Sequence, residues 1–131
     1  MDYKKLHKEI RAIIESKGFR YVTADRWFNL EFGLFPQGLV NDSFSIRLDS
    51  NNESTSLHDI NDTNVVVEFV LNAKNDLYLK KIDDCKQAVA SIYGALSSDF
   101  ALLNLTPKEF NTNYLQEYVI LTFNRIQVTG A

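Results

Sequence analysis

A single cysteine, two histidines and no apolar run of membrane length leave this chain short of the groups that most chemistries need. One cysteine cannot close an internal disulfide, and Cys85 falls on the apolar face of a helical pattern, where a buried, inert thiol is expected. A reducing compartment fits. No stretch approaches the roughly 18 apolar residues of a membrane-spanning helix. The N-terminus, Met1-Asp2-Tyr3-Lys4-Lys5, enters an amphipathic pattern at once, without the apolar core or small-residue cleavage site of a signal peptide. A soluble protein made in the cytoplasm, with no membrane association, is the expectation. Charge of one sign is also missing. Fourteen Lys and Arg against 17 Asp and Glu give a formal net charge of -3, too mild and too evenly spread for a nucleic-acid surface, so sequence-specific DNA or RNA binding is disfavoured.

Catalytic signatures are absent as well. There is no G-x-S-x-G, no phosphate-binding glycine loop, no G-x-G-x-x-G and no Cys-x-x-Cys. His7 lies at the edge of an apolar helical stripe and reads as an ordinary boundary histidine. His58, Asp59 and Asp62 share a polar stretch and offer imidazole and carboxylate ligands, but their spacing matches no established metal motif. Asp49, Asn51 and Glu53 resemble the start of a calcium loop, yet the glycine and the distal bidentate Glu are missing at the required spacing. Glu31, Glu68 and Glu117 fall in strand patterns and could form an acid/base set; they read instead as outward-facing charges. No cofactor, no metal and no enzymatic activity are expected. Four Asn-x-Ser/Thr triplets, beginning at Asn41, Asn52, Asn61 and Asn104, are by-products of composition in a protein that is not secreted.

What the chain does have is framework. Its 131 residues, 45% apolar and 24% charged, suit a single domain spanning residues 1–131, of a size that buries roughly two thirds of its unfolded surface. Tyr3, Leu6, Ile10, Ile13 and Ile14 share one face of a helix over residues 2–17, with Lys4, Lys8, Arg11 and Glu15 opposite. Gly18 stops it where a left-handed residue is wanted. Residues 19–23 and 27–35 are strand candidates, and Pro36 and Gly38 signal a reversal. Residues 43–49 alternate cleanly, with Phe44, Ile46 and Leu48 facing in and Ser43, Ser45, Arg47 and Asp49 facing out, the pattern of a half-buried antiparallel strand.

A long polar loop over residues 50–64 follows, with Leu57 and Ile60 its only large apolar residues. Such a connection is uncommon in a compact domain, and it is the best local candidate for an interaction arm. Val65, Val67, Phe69 and Leu71 then alternate with Val66, Glu68, Val70 and Asn72. A second helix over residues 77–96 carries Leu77, Ile82, Cys85, Val89, Ile92, Tyr93 and Leu96 near one stripe, with Asp76 placed to cap it. Residues 100–105 suit a strand or packed turn, and residues 106–113, with Pro107, a loop. The chain closes on residues 114–128, a strand about twice the usual 5 to 6 residues. Val119, Leu121 and Phe123 lie on one side of it and Tyr118, Ile120 and Thr122 on the other, so it is either central in its sheet or covered by a neighbouring subunit. The fold class is α+β, a mainly antiparallel sheet packed by two amphipathic helices. Phe44, Ile46, Phe69, Val89, Ile92, Leu121 and Phe123 should form its core.

Trp27 and Tyr118 occupy the opposite parity of strands that already have an apolar face, the position of either second-layer packing or anchors of a protein interface, where Trp and Tyr are enriched. With Leu57, His58 and Ile60 of the polar loop and Ile120 beside Tyr118, they are the candidate interface residues.

The order of these parts, a first helix ending in a glycine, strands with a polar arm, residues 65–71, the helix over 77–96 and a late strand containing Tyr118-Val119-Ile120-Leu121-Thr122-Phe123, resembles the tail terminator proteins of tailed bacteriophages, the minor tail or tail-completion proteins. The likeness covers most of the chain and carries no diagnostic motif. It implies a non-enzymatic virion assembly protein: a homo-oligomeric ring, usually hexameric, that caps the tail tube protein and docks to the head-side connector protein. It also implies residence in the host cytoplasm during assembly and then in the virion tail. A closed ring needs two different patches in head-to-tail contact, for which the loop of residues 50–64 and the outer face of residues 118–122 are the candidates. A head-tail joining (neck) protein uses the same kind of subunit. A monomeric acidic binding protein of immunity or adaptor type is the alternative from a different class.

Overall fold

The computed structural model describes residues 2–23, 42–50, 63–102, 109–115 and 117–130. Helix α1, Tyr3–Glu15, begins at Asp2, whose carboxylate accepts from the Lys5 amide at 3.0 Å. It buries Leu6, Ile10 and Ile14, spaced so that all three fall on one face. At its end the Gly18 amide bonds to the Glu15 carbonyl, and Gly18 adopts φ 95°. A Cβ there would meet nothing within 4 Å, so the backbone angle rather than crowding asks for glycine.

The described strands are β1 (Arg20–Tyr21), β2 (Ser43–Ser50), β3 (Thr63–Asn72), β4 (Phe100–Leu102), β5 (Glu109–Leu115) and β6 (Tyr118–Gly130). They form one sheet in the order β1-β2-β3-β6-β4, with β5 also paired to β6. Every pairing is antiparallel except the short parallel one of β1 with β2. Helix α2, Leu77–Ala90, runs into a 3₁₀ turn, Ser91–Gly94. The protein is therefore α+β, with two described helices against one face of a mainly antiparallel sheet.

Cross-strand register builds the core. Phe44 opposes Phe69, which opposes Leu121; Ile46 opposes Val67, which opposes Phe123. Phe69 makes edge-on contacts with Phe19, at 4.9 Å between ring centres, and with Phe123, at 5.9 Å. Leu6, Ile10 and Ile14 of α1 and Cys85, Ala88 and Val89 of α2 close over these side chains. All seven residues expected in the core are buried, each at 3% exposure or less. Each large apolar side chain so enclosed contributes roughly 1.5–3 kcal/mol.

Several local expectations are corrected. The closing strand does not start at Tyr114: Tyr114 and Leu115 belong to β5, which forms a hairpin with β6. Residues 109–113, read as loop after Pro107, are likewise strand. Asp76 makes no side-chain cap, and the Asn75 amide oxygen instead accepts from the Leu77 amide at 3.0 Å. Leu77, placed on the core stripe, is 67% exposed.

The second sheet face is more covered than alternation suggests, for Ser43, Ser45, Val66, Glu68, Val70, Ile120 and Thr122 are all buried. Of the alternatives for β6, the central position is the one observed, since β3 lies on one side of it and β4 and β5 on the other. A register shift between Val65 and Val67 lets Ile126 and Val128 return to the core after Phe123, although an unbroken alternation would turn them outward. The strand candidate at residues 27–35 and the polar loop, from 51 to 62, lie outside the described residues.

Candidate protein interface

Large apolar side chains stand exposed where α2 begins beside the β5–β6 hairpin. Leu77 is 67% exposed, Leu79 54% and Tyr114 66%. Tyr78, between the two leucines, is half-buried, and its phenol interacts with that of Tyr114 on the hairpin. That interaction is the largest cause raising the Tyr78 pKa, followed by the charge of the second phenol, burial and Asp76. The 100° step of a helix explains why both cannot turn inward: residues two apart point in nearly opposite directions.

The base of this corner is well held. The Ala73 amide donates to the Glu117 carbonyl at 2.7 Å, and the Lys74 ammonium lies 3.1 Å from the Glu117 carboxylate. Tyr114 opposes Val119 on the helix-bearing face of the hairpin, and Tyr118, one residue out of phase, belongs to the other face and is half-buried. The two tyrosines thus mark opposite sides of one hairpin end. Ile120, expected at an interface, is only 6% exposed within the single chain. Trp27, Leu57, His58 and Ile60 lie outside the described residues, as do Glu31, Asp59 and Asp62.

Beside the corner, Lys81 of α2 reaches Asp42 at 2.8 Å. Asp42 has φ 63° and is held on both sides: its amide donates to Val70, and its carbonyl accepts from the Arg20 amide. The hydrogen bond to Asp42 is the largest cause raising the Lys81 pKa, against a smaller opposing effect of burial. Shallow clefts of about 300 and 350 Å³ flank this pair, sharing Asp42 and Lys81 in their walls. Lys17 and Asp84 complete the charged lining of the first, so its charges balance. Cys85, one turn beyond Lys81, is fully buried, and burial is the chief cause pushing its thiol pKa far up. It has no thiolate character to offer a nucleophilic reaction.

The remaining notable group is Glu68. Read from alternation as an outward charge, it is buried on the second sheet face, its carboxylate 3.3 Å from Arg47 and accepting from the Thr122 hydroxyl at 3.2 Å. A buried carboxylate needs this pairing. Ser45, opposite it in register, is buried with a hydroxyl that has no hydrogen-bond partner. Among the described residues no three His, Cys, Asp or Glu side chains gather as metal ligands, and no helix is long and apolar enough to cross a membrane. Compared with known families and with curated proteins, the sequence matches no family model and no characterised protein.

Sequence reasoning missed the corner itself. Leu79, off the core stripe of the second helix, was its visible signal, since a leucine on a solvent face beside polar neighbours has no packing reason to be there. Tyr114 was hidden by its assignment to a continuous closing strand.

Proposed function

We propose that this protein is a non-enzymatic subunit of a phage virion, a tail terminator that caps the tail tube and docks to the head-side connector as a homo-oligomeric ring. The observation that carries the reading is the exposed corner of Leu77, Leu79 and Tyr114, set on a rigid framework of helix and hairpin. Large apolar side chains exposed at the start of α2 and on the hairpin beside it, where Lys74 and Glu117 pair, have the make-up of a protein contact. Such a corner provides one of the two different patches that a head-to-tail ring requires. The resemblance in element order supports a ring subunit of this kind, which a head-tail joining (neck) protein would share.

Sedimentation across a range of concentrations tests the contact. The parent protein is expected to associate as concentration rises. Leu77→Ser combined with Leu79→Ser should shift the equilibrium toward monomer while leaving the melting temperature near that of the parent, because neither side chain is in the core. A double variant that associates as the parent does would remove the corner from the assembly. A parent that stays monomeric at every concentration, and binds one soluble partner tightly, would favour the immunity or adaptor reading.

A further inference from the structure

Strand β1 is two residues long and forms the only parallel pairing among the described strands. Two backbone bonds beside it tie it to β2: the Arg20 amide to the Asp42 carbonyl at 2.9 Å and the Val22 amide to the Phe44 carbonyl at 2.8 Å. Its central side chain, Tyr21, is gripped by α1. The Tyr21 hydroxyl lies 3.2 Å from His7 Nε2, the two rings meet edge-on at 5.5 Å, and the Arg11 guanidinium sits 4.3 Å above the centre of the Tyr21 ring. From below, Phe44 of β2 meets the same ring at 5.5 Å.

We infer that His7 is an acid-sensitive latch: neutral, it holds Tyr21 against α1, and protonated, it loosens β1 from β2. In its Nδ1–H tautomer the neutral imidazole presents a lone pair at Nε2 to accept from the phenol, and protonation turns that nitrogen into a donor. The new cation then stands one helical turn from Arg11, and both face one phenol. Like charges at this spacing repel. Relief would need a carboxylate, and among the described residues none is within ion-pair distance of His7. Glu15 is bonded to Arg11 at 3.1 Å, and Glu9 is engaged with the Ser97 amide and hydroxyl at 2.8 and 2.9 Å. From β1 the facing titratable group is Tyr21 itself, and from β2 the side chain behind it is the uncharged Phe44. Burial first and Arg11 second hold the His7 pKa below its ordinary 6.5. The latch is therefore closed at neutrality and above, and it opens as pH falls through that lowered value.

Residue-resolved NMR tests this on the intact chain. As pH is lowered from about 7.5 to 5, the His7 ring and the Val22 amide should titrate together with a midpoint below the free-histidine value of about 6.5. Amide exchange at Arg20 and Val22, corrected for intrinsic rates, should accelerate over the same range while the amides of β3 keep their protection. Arg11→Gln should move the midpoint upward. His7→Gln, neutral throughout, should abolish the pH dependence of exchange at Val22. A His7 midpoint at or above that of free histidine, a Val22 amide that does not follow it, or loss of protection spread equally over β3 would each overturn the latch. The wild-type titration decides the matter even if a variant fails to fold.

Discussion

Asp42 carries a backbone strain and a charge that substitution can separate. Its φ of 63° is costly for most residues and tolerated by Asp and Asn, while its carboxylate holds Lys81. Asp42→Asn keeps the tolerant side chain and loses only a partly exposed ion pair, at a cost of about 0–1 kcal/mol. Asp42→Ala adds a conformational penalty of about 1–2 kcal/mol. Urea denaturation of both should show Ala clearly the worse. Equal midpoints would mean that the turn relaxes. Phe123 and Phe69 are fully buried and in contact with each other, so truncating either to Ala should cost about 3–5 kcal/mol. That is much of a typical domain's stability. A variant that melts within a degree or two of the parent would show that the site collapses to fill the void. Both phenylalanines were legible from alternation alone, because parity says which side chains share a face. Glu68 was not: parity cannot say whether the opposite face is covered, and here it is.

Among the elements, α2 shows how a boundary can be right and its chemistry wrong. Its pattern placed the start at Leu77, where it is, but the side-chain bond there comes not from the N-cap Asp76 but from Asn75 ahead of it, which accepts from the Leu77 amide. Asn75→Ala should lower stability by about 1 kcal/mol and Asp76→Ala by much less, measured by thermal or urea unfolding. The reverse order would contradict the capping geometry. The β5–β6 hairpin shows a different failure. Residues 116 and 117 are Gln and Glu, without the Gly, Asn or Pro that marks a tight turn, so two paired strands read as one overlong strand. Asn111, Thr112 and Asn113 lack the apolar alternation that identifies a strand, and β5 was lost with them. The sheet's middle and α1 were legible because burial imposes a period on the sequence. The hairpin was not, because pairing to β6 supplies what its local sequence lacks. The exposed corner takes Tyr114 from that hairpin, so Leu79 alone marked it in the sequence.

At the scale of the molecule, a packed body is distinct from the surface it presents. The sheet and both helices share one core, and Glu9 adds a polar tie by accepting from Ser97 beyond the 3₁₀ turn. Leu77, Leu79 and Tyr114 stand outside that core, so association should be separable from folding. The proposed ring need not persist in dilute solution, because mass action favours association only as concentration rises. The decisive observation is made on growing tail tubes by electron microscopy, with purified protein added at a fixed time. Tubes capped by the protein should stop at the length reached on addition and carry a disc of density at one end, and the Leu77→Ser, Leu79→Ser variant should leave them growing. Tubes that lengthen unchanged in the presence of the parent protein would contradict the terminator function.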